Sequence, residues 1–490
     1  MKYSLGIDFG GGASKATLLS ETGEVVSTST VEYPTFYPQS RFVEQDPDDW
    51  YGATKTNIAN ILRESGVDAR DIVCVSLDAA THTAVLTDEN YKPLCNSIYW
   101  TDTRSTDEVA FLRENYGSLI KDQVLHEVGT IWTLPQLLWL KRNEKELFPK
   151  IKHMMFAKDY VRHRLTGDSV TDNIEAEGSM LFDYNAQKWS DELVSALGLD
   201  ASVLPEIVSP TDEVGRVTRE AALDTGLCEG TKVICGCTDT AMEVFAAGSV
   251  KLGDVTLKLA TAGRICVITD RPHPDKNVIN YSYVMPGLWY PGTATKACAS
   301  SYRWFRDTFG GDYKTLDAGA EKVGIGAGGV TYHPYLNGEL TPYNDPSLCA
   351  SFIGVRAEHT EAHFARAVLE GVSLSMLDSK RALESLGVNV GDRAVIIGGG
   401  GKSPLWRQIT SDALNMTFVT RKHSDSSFGS AMLAGVAAGF WNSPEEAVSL
   451  CNADLFETRP DACSHEKYLR LYAKYKKTAE LLSEIYHENY

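Results

Sequence analysis

Tyr3-Ser4-Leu5-Gly6-Ile7-Asp8-Phe9-Gly10-Gly11-Gly12-Ala13-Ser14-Lys15-Ala16-Thr17-Leu18-Leu19 alternates apolar with small or polar residues on both sides of three consecutive glycines. Alternation of period two broken by a glycine run predicts strand, tight turn, strand, and Glu21-Thr22-Gly23-Glu24 predicts a second turn. Three glycines let phosphate oxygens approach the backbone N–H groups, and an acid ending the strand, Asp8, can hold a hydrated Mg²⁺. An ordinary glycine-rich hairpin with a solvated aspartate accounts equally well for the same residues.

Outward from the hairpin, Asp46-Pro47-Asp48-Asp49-Trp50 supplies an N-cap, a first-turn proline and an acid three residues after the cap. Trp50, Thr54, Ile58, Ile61 and Leu62 then mark one face of a helix. Strand-like runs at Ile72–Leu77 and Thr231–Cys237 lie among helical stretches, a mixed α/β pattern. The opening pattern returns at Asp254–Ile268, where Ala260-Thr261-Ala262 takes the turn, and predicts a second copy of the first unit with a boundary near Gly248–Gly253. Ala394-Val395-Ile396-Ile397 runs into Gly398-Gly399-Gly400-Gly401-Lys402, with Ser403 as cap and Pro404 opening a helix. This turn suits the approach of a nucleotide, with a plain strand-to-helix connection as the alternative. It is neither a Walker loop, because Ile396 stands five residues before Gly401, nor a dinucleotide fingerprint. The tail predicts a helix over His465–Tyr486 docking through Leu469, Tyr472, Leu482 and Ile485.

Composition excludes several classes. The 490 residues carry 47 Lys+Arg against 65 Asp+Glu, a net charge of −18, which argues against nucleic-acid or anionic-membrane partners. With 43% hydrophobic residues and 10% aromatics, the chain can bury a sizeable core. No apolar run approaches a membrane span, and Asp8 stands where a signal peptide would need apolar residues, so a cytoplasmic protein is expected. The 10 cysteines include no C-x-x-C pair and read as small buried hydrophobes. Cys235-Gly236-Cys237, inside a strand-like run, would point both thiols to one face.

Two further groups could carry chemistry. Asp239 ends the run Val233–Thr238 and opens a helical stretch, where the dipole keeps a carboxylate ionised and able to accept a proton; an aspartate in that place is also commonly a helix cap. Thr81-His82, with Trp100, Asp102 and Arg104 on one extended face, offers a platform, an acceptor and a donor for a polyol. A structural histidine and a surface ion pair are the plainer reading of those residues.

Together these segments resemble the FGGY carbohydrate kinases of the actin-like sugar-kinase superfamily, and most closely the xylulokinase branch. The likeness is carried in order by Gly6–Gly10, Lys158–Tyr160 through Arg164–Gly167, Thr171–Asn173, Gly236–Asp239, Pro334–Glu339, Thr341–Pro346, Arg366–Gly371 and Gly398–Gln408. The resemblance implies two ribonuclease-H-like (actin-like ATPase) domains, residues 1–248 and 249–490, closing on an interdomain cleft that holds MgATP. It implies Asp239 as catalytic base and a sugar bound by Thr81, His82, Trp100, Asp102, Arg104 and Thr240. Asp8, Gly10, Gly11, Gly12, Ser14 and Lys15 fall in the first phosphate hairpin, with Asp8 toward Mg²⁺, and Thr261 in the second. Gly399, Gly400 and Ser403 fall where the family holds adenosine.

The implied activity is ATP-dependent transfer of the γ-phosphate to a hydroxyl of a small sugar, foremost a ketopentose such as D-xylulose. Another ketose, a polyol or a sugar acid is the alternative, and a non-catalytic actin-like module the remoter one. The partners are then a sugar and MgATP, with no nucleic acid and no membrane; a homodimer is admitted rather than required. Departures from the family pattern are Ala80-Thr81 for Gln-Met before His82, Thr240 for Asn, Gly11-Gly12 for hydroxyl residues, Ala260 and Ala262 around Thr261, and Leu340 for Arg.

Overall fold

A computed structural model describes residues 1–488 and divides into two units. The first comprises Met1–Gly248, Tyr281–Leu288 and His423–Asn452; the second comprises Ser249–Asn280, Trp289–Lys422 and Ala453 onward. The expected break at 248/249 is therefore the first of several crossings, and two segments from the second half of the sequence complete the first unit.

The first unit is built on β1 (Tyr3–Phe9), β2 (Ala13–Ser20) and β3 (Val25–Glu32), an antiparallel meander. On its other side β1 pairs in parallel with the strand Ile72–Ala79, which pairs in parallel with Lys232–Ile234 and Cys237–Thr238. The second unit repeats this order. Val255–Leu259 pairs antiparallel with Gly263–Val267, and that strand with Gly292–Thr295; on its other edge Val255–Leu259 is parallel to Arg393–Ile397, and that strand to Thr417–Arg421. The hairpins correspond in register: Asp8 stands opposite Lys15, and Lys258 opposite Arg264.

Alternation sorts the first sheet's faces. Leu5, Ile7 and Phe9 are buried in the core that holds Trp50, Ile58 and Ile61 of α1 (Pro47–Ser65). That helix starts as its sequence predicts, Asp46 accepting the Asp48 N–H beside Pro47. The opposite face, carrying Ser4, Gly6 and Asp8, is covered by the helix Ser426–Ala437, rich in Ser, Gly and Ala. Ser4 Oγ donates to the Ala431 carbonyl at 2.7 Å, and Thr17 and Ser427 hydroxyls meet at 2.8 Å. A Cβ on Gly6 would lie 2.1 Å from Ser427 O and 2.3 Å from Ala431 N, so the close approach requires glycine there.

The run Thr231–Cys237 is not one strand. Val233 faces Val75 and Cys237 faces Asp78, four residues against three, with Gly236 at φ 72° as the extra residue of a bulge. A Cβ at Gly236 would sit 2.0 Å from Leu77 O. The bulge replaces the regular thiol alternation expected for Cys235 and Cys237; both cysteines are buried. The tail helix runs from Ala462 to His487 and buries Tyr468, Tyr472, Tyr475 and Ala479, whereas Leu469 and Ile485 are exposed. Its tyrosines, not its aliphatics, form the docking face because Asp378, Tyr335 and Glu370 satisfy their hydroxyls. Among the described residues no helix is long and apolar enough to cross a membrane.

Candidate active site

Three neighbouring parallel strands of the first unit end together. β1 ends with Asp8-Phe9; Ile72–Ala79 ends with Asp78 and leads into Thr81-His82; Cys237–Thr238 leads into Asp239. Loops beyond the carboxyl ends of parallel strands are where open α/β sheets collect ligand-binding groups.

Asp8 and Asp78 are register partners. Burial pushes the Asp8 carboxyl up to about 7, the Asp78 hydrogen bond draws it down, and the charges of Asp239 and Glu243 raise it. Asp78 is driven well above the usual carboxylate range by burial first and then by Asp8. Ser430 Oγ donates to Asp78 Oδ2 at 2.5 Å from the covering helix. Asp78 was not singled out in the sequence, since only the long-range register brings it to Asp8.

Asp239 is the first residue of the helix Asp239–Ala246, and Thr238 occupies the N-cap position, so the cap reading does not hold. Asp239 Oδ1 accepts from Thr240 N at 2.6 Å and from Thr240 Oγ1 at 3.2 Å.

In the first hairpin turn the carbonyls are pinned. Gly10 O accepts from Tyr33 Oη at 2.5 Å, Gly11 O from Thr35 Oγ1 at 2.8 Å and Gln45 Nε2 at 3.0 Å, and Gly12 O from Tyr33 N at 3.1 Å. In a trans peptide the N–H points opposite to the C=O, so pinning the carbonyls turns the amides of Gly11 and Gly12 the other way. Lys15, on the Asp8 face, pairs with Asp425 Oδ2 at 3.0 Å. Ser14 departs from the expectation: it is buried on the opposite face, its oxygen accepting from Asn57 Nδ2 of α1 at 3.1 Å.

The second hairpin turn uses the same device within the second unit. Thr261 O accepts from Cys298 N at 3.0 Å and Ser300 Oγ at 2.8 Å, and Ala260 O from Ala299 N at 2.7 Å, leaving Thr261 at an exposed tip. In the four-glycine turn, a Cβ on Gly398 would meet Leu259 O at 2.5 Å and one on Gly400 would meet Leu259 Cβ and Trp406 at 2.9 Å. Gly399 faces open space. Gly398 and Gly400 are thus demanded by packing. Ser403 caps its helix as predicted, accepting from Trp406 N at 3.1 Å while donating to Asp317 Oδ2 at 2.7 Å.

His82 adopts φ 74°. Its N–H donates to Glu175 Oε1 at 2.8 Å, and Nδ1 lies 2.7 Å from Gly178 O. Thr81 is buried beside it, against Gly178. The predicted common face of Trp100, Asp102 and Arg104 does not form, because the chain turns at Trp100–Thr101. Trp100 is exposed, whereas Asp102 accepts from Val43 N and from Arg104, and Arg104 bonds Glu44 Oε1 at 2.8 Å beneath the Phe42 ring. Asp102 and Arg104 form a buried ion pair that ties two loops together.

Comparison with known proteins identifies the family of the chain. Residues 3–246 match the FGGY family of carbohydrate kinases, N-terminal domain, and residues 261–438 match its C-terminal domain. A xylulose kinase of Bacillus subtilis (strain 168) is 33% identical over 481 residues, covering 97% of this chain and 96% of that protein. A gluconokinase of the same organism is 27% identical over 501 residues, covering 99% and 97%. The crystal structure of xylulose kinase from Rhodospirillum rubrum superposes with a TM-score of 0.92 at 26% identity, covering 99% of this chain and 100% of that one. The chain belongs to the FGGY family of carbohydrate kinases. It is accordingly an ATP-dependent sugar kinase, a phosphotransferase with an alcohol group as acceptor.

Proposed function

We propose that the acceptor is a ketopentose, D-xylulose foremost, and that Asp239 is the base that orients and deprotonates its hydroxyl. The observation that carries this reading is the convergence of Asp239, the Asp8–Asp78 pair and Thr81-His82 at three adjacent strand ends, in a chain 33% identical to a xylulose kinase. Thr240, through its N–H and hydroxyl, holds the Asp239 carboxylate in one orientation. Phosphoryl transfer is largely dissociative, so holding the attacking oxygen in line matters more than base strength.

The amides of Gly11 and Gly12 and the tip residue Thr261 would bind phosphate oxygens, with Lys15 nearby. Gly399 would lie along adenosine, its neighbours Gly400 and Ser403 fixing the turn. The donors around Asp8 fit Mg²⁺: the carboxyls of Asp8 and Asp78 are register partners at adjacent strand ends, and Mg²⁺ takes one or two carboxylates and completes its shell with water and phosphate. Among the described residues no three His, Cys, Asp or Glu side chains form a metal cage. When bound, the ion supplies positive charge against the phosphate oxygens. The same reading has a cytoplasmic enzyme with small-molecule partners.

ADP release with MgATP, coupled to a spectrophotometric readout, tests it across D-xylulose, D-ribulose, L-xylulose, erythritol, glycerol and gluconate against a no-sugar blank. Preference for D-xylulose is expected. A higher kcat/KM for any other acceptor, or a rate indistinguishable from the blank, would overturn the ketopentose assignment.

A further inference from the structure

His82 is fixed through both ring nitrogens. Nδ1 lies 2.7 Å from the Gly178 carbonyl, which has no hydrogen to give, so Nδ1 carries the proton. In the neutral ring Nε2 is then a lone-pair acceptor, and Tyr281 Oη, 3.1 Å away, is its donor. Trp132 packs edge-on against His82 at 4.5 Å, and His126 stacks on Trp132 at 4.3 Å. Tyr281 is itself anchored by its neighbour: Ser282 N donates to Glu177 Oε2 at 2.8 Å, and Asn173 Nδ2 donates to Ser282 Oγ at 2.6 Å.

We propose that Tyr281 is a positioning residue, whose hydroxyl holds the His82 ring in one tautomer and orientation for binding the sugar. The inference rests on the ketose-kinase reading above. The two residues are 199 positions apart in the chain.

Tyr281→Phe keeps the aromatic ring and removes one hydroxyl. Tyr281→Phe should raise KM for D-xylulose roughly five- to tenfold, with kcat and the KM for ATP within about twofold of wild type. In ¹⁵N spectra of histidine-labelled protein, the His82 Nε2 resonance should move toward that of an unbonded imine nitrogen in the variant. An unchanged KM for D-xylulose or an unmoved Nε2 resonance would each overturn the inference. If the wild type phosphorylates no sugar, the ketose-kinase reading fails. The nitrogen spectrum still decides whether Tyr281 fixes the ring.

Discussion

Asp8 of β1 stands in parallel register beside Asp78 of the neighbouring strand, whose buried carboxyl accepts from the Ser430 hydroxyl. Desolvation first, then neighbouring acidic charge, holds both carboxyls above the usual carboxylate range. Asp78→Asn should keep the Ser430 contact and most of the stability. Asp78→Ala leaves that hydroxyl buried without its acceptor, and urea unfolding should register a loss of about 1–3 kcal/mol.

Asp239→Asn retains the shape of the side chain and cannot accept a proton. Sugar phosphorylation should fall by roughly 100-fold or more while nucleotide binding stays near wild type. Turnover in the coupled assay and titration with a fluorescent ATP analogue check the two halves, and near-normal turnover would refute the assigned role.

Gly6→Ala forces a methyl group into backbone atoms of the covering helix at 2.1 and 2.3 Å, where no side chain can swing away. A loss of about 3 kcal/mol or more is expected, read as a lowered Tm by calorimetry.

Glu339 gives a pH signature in the second unit. Burial raises its carboxyl from 4.5 to about 8, although it accepts N–H groups from Lys296 and Leu340, both at 2.8 Å. The folded state therefore holds a proton that the unfolded chain has released. The stabilisation is complete below pH 4.5 and is lost as pH rises toward 8, by at most about 1.4 kcal/mol per pH unit. Glu339→Gln cannot ionise, so between pH 5 and 8 its Tm should fall less steeply than that of the wild type.

Trp100 and Arg104 should part company. Trp100→Ala removes a ring that is 39% exposed and should change the sugar KM with little shift in Tm. Arg104→Ala leaves the buried Asp102 carboxylate uncompensated and should cost about 3–5 kcal/mol, seen first as a lower Tm.

The two hairpins, the Asp46 and Ser403 caps and the second copy were legible because each is written within about twenty residues by glycine, proline and alternation. Family resemblance drew attention to Asp239 and His82. What escaped reading depends on distant partners. Ser14 looked like a phosphate contact until its face of β2 was known to meet Asn57. Asp102 and Arg104 looked like ligand groups until Glu44 and Phe42 closed over them. Asp78 and Tyr281 have no local motif at all. On the tail helix Tyr472 docks as its spacing predicts, whereas Tyr468 and Tyr475 have no local signal, because a tyrosine joins a core only where a partner for its hydroxyl is in reach.

The helix Ser426–Ala437 covers the Gly6 face of β1 yet lies far along the chain. On the ribosome, then, the first 248 residues emerge with that side of their sheet bare. At ordinary elongation rates the covering helix follows roughly 10 to 40 s later. Nascent chains halted in that interval should be cut by protease in β1 and β2 and become resistant once residue 452 has left the exit tunnel.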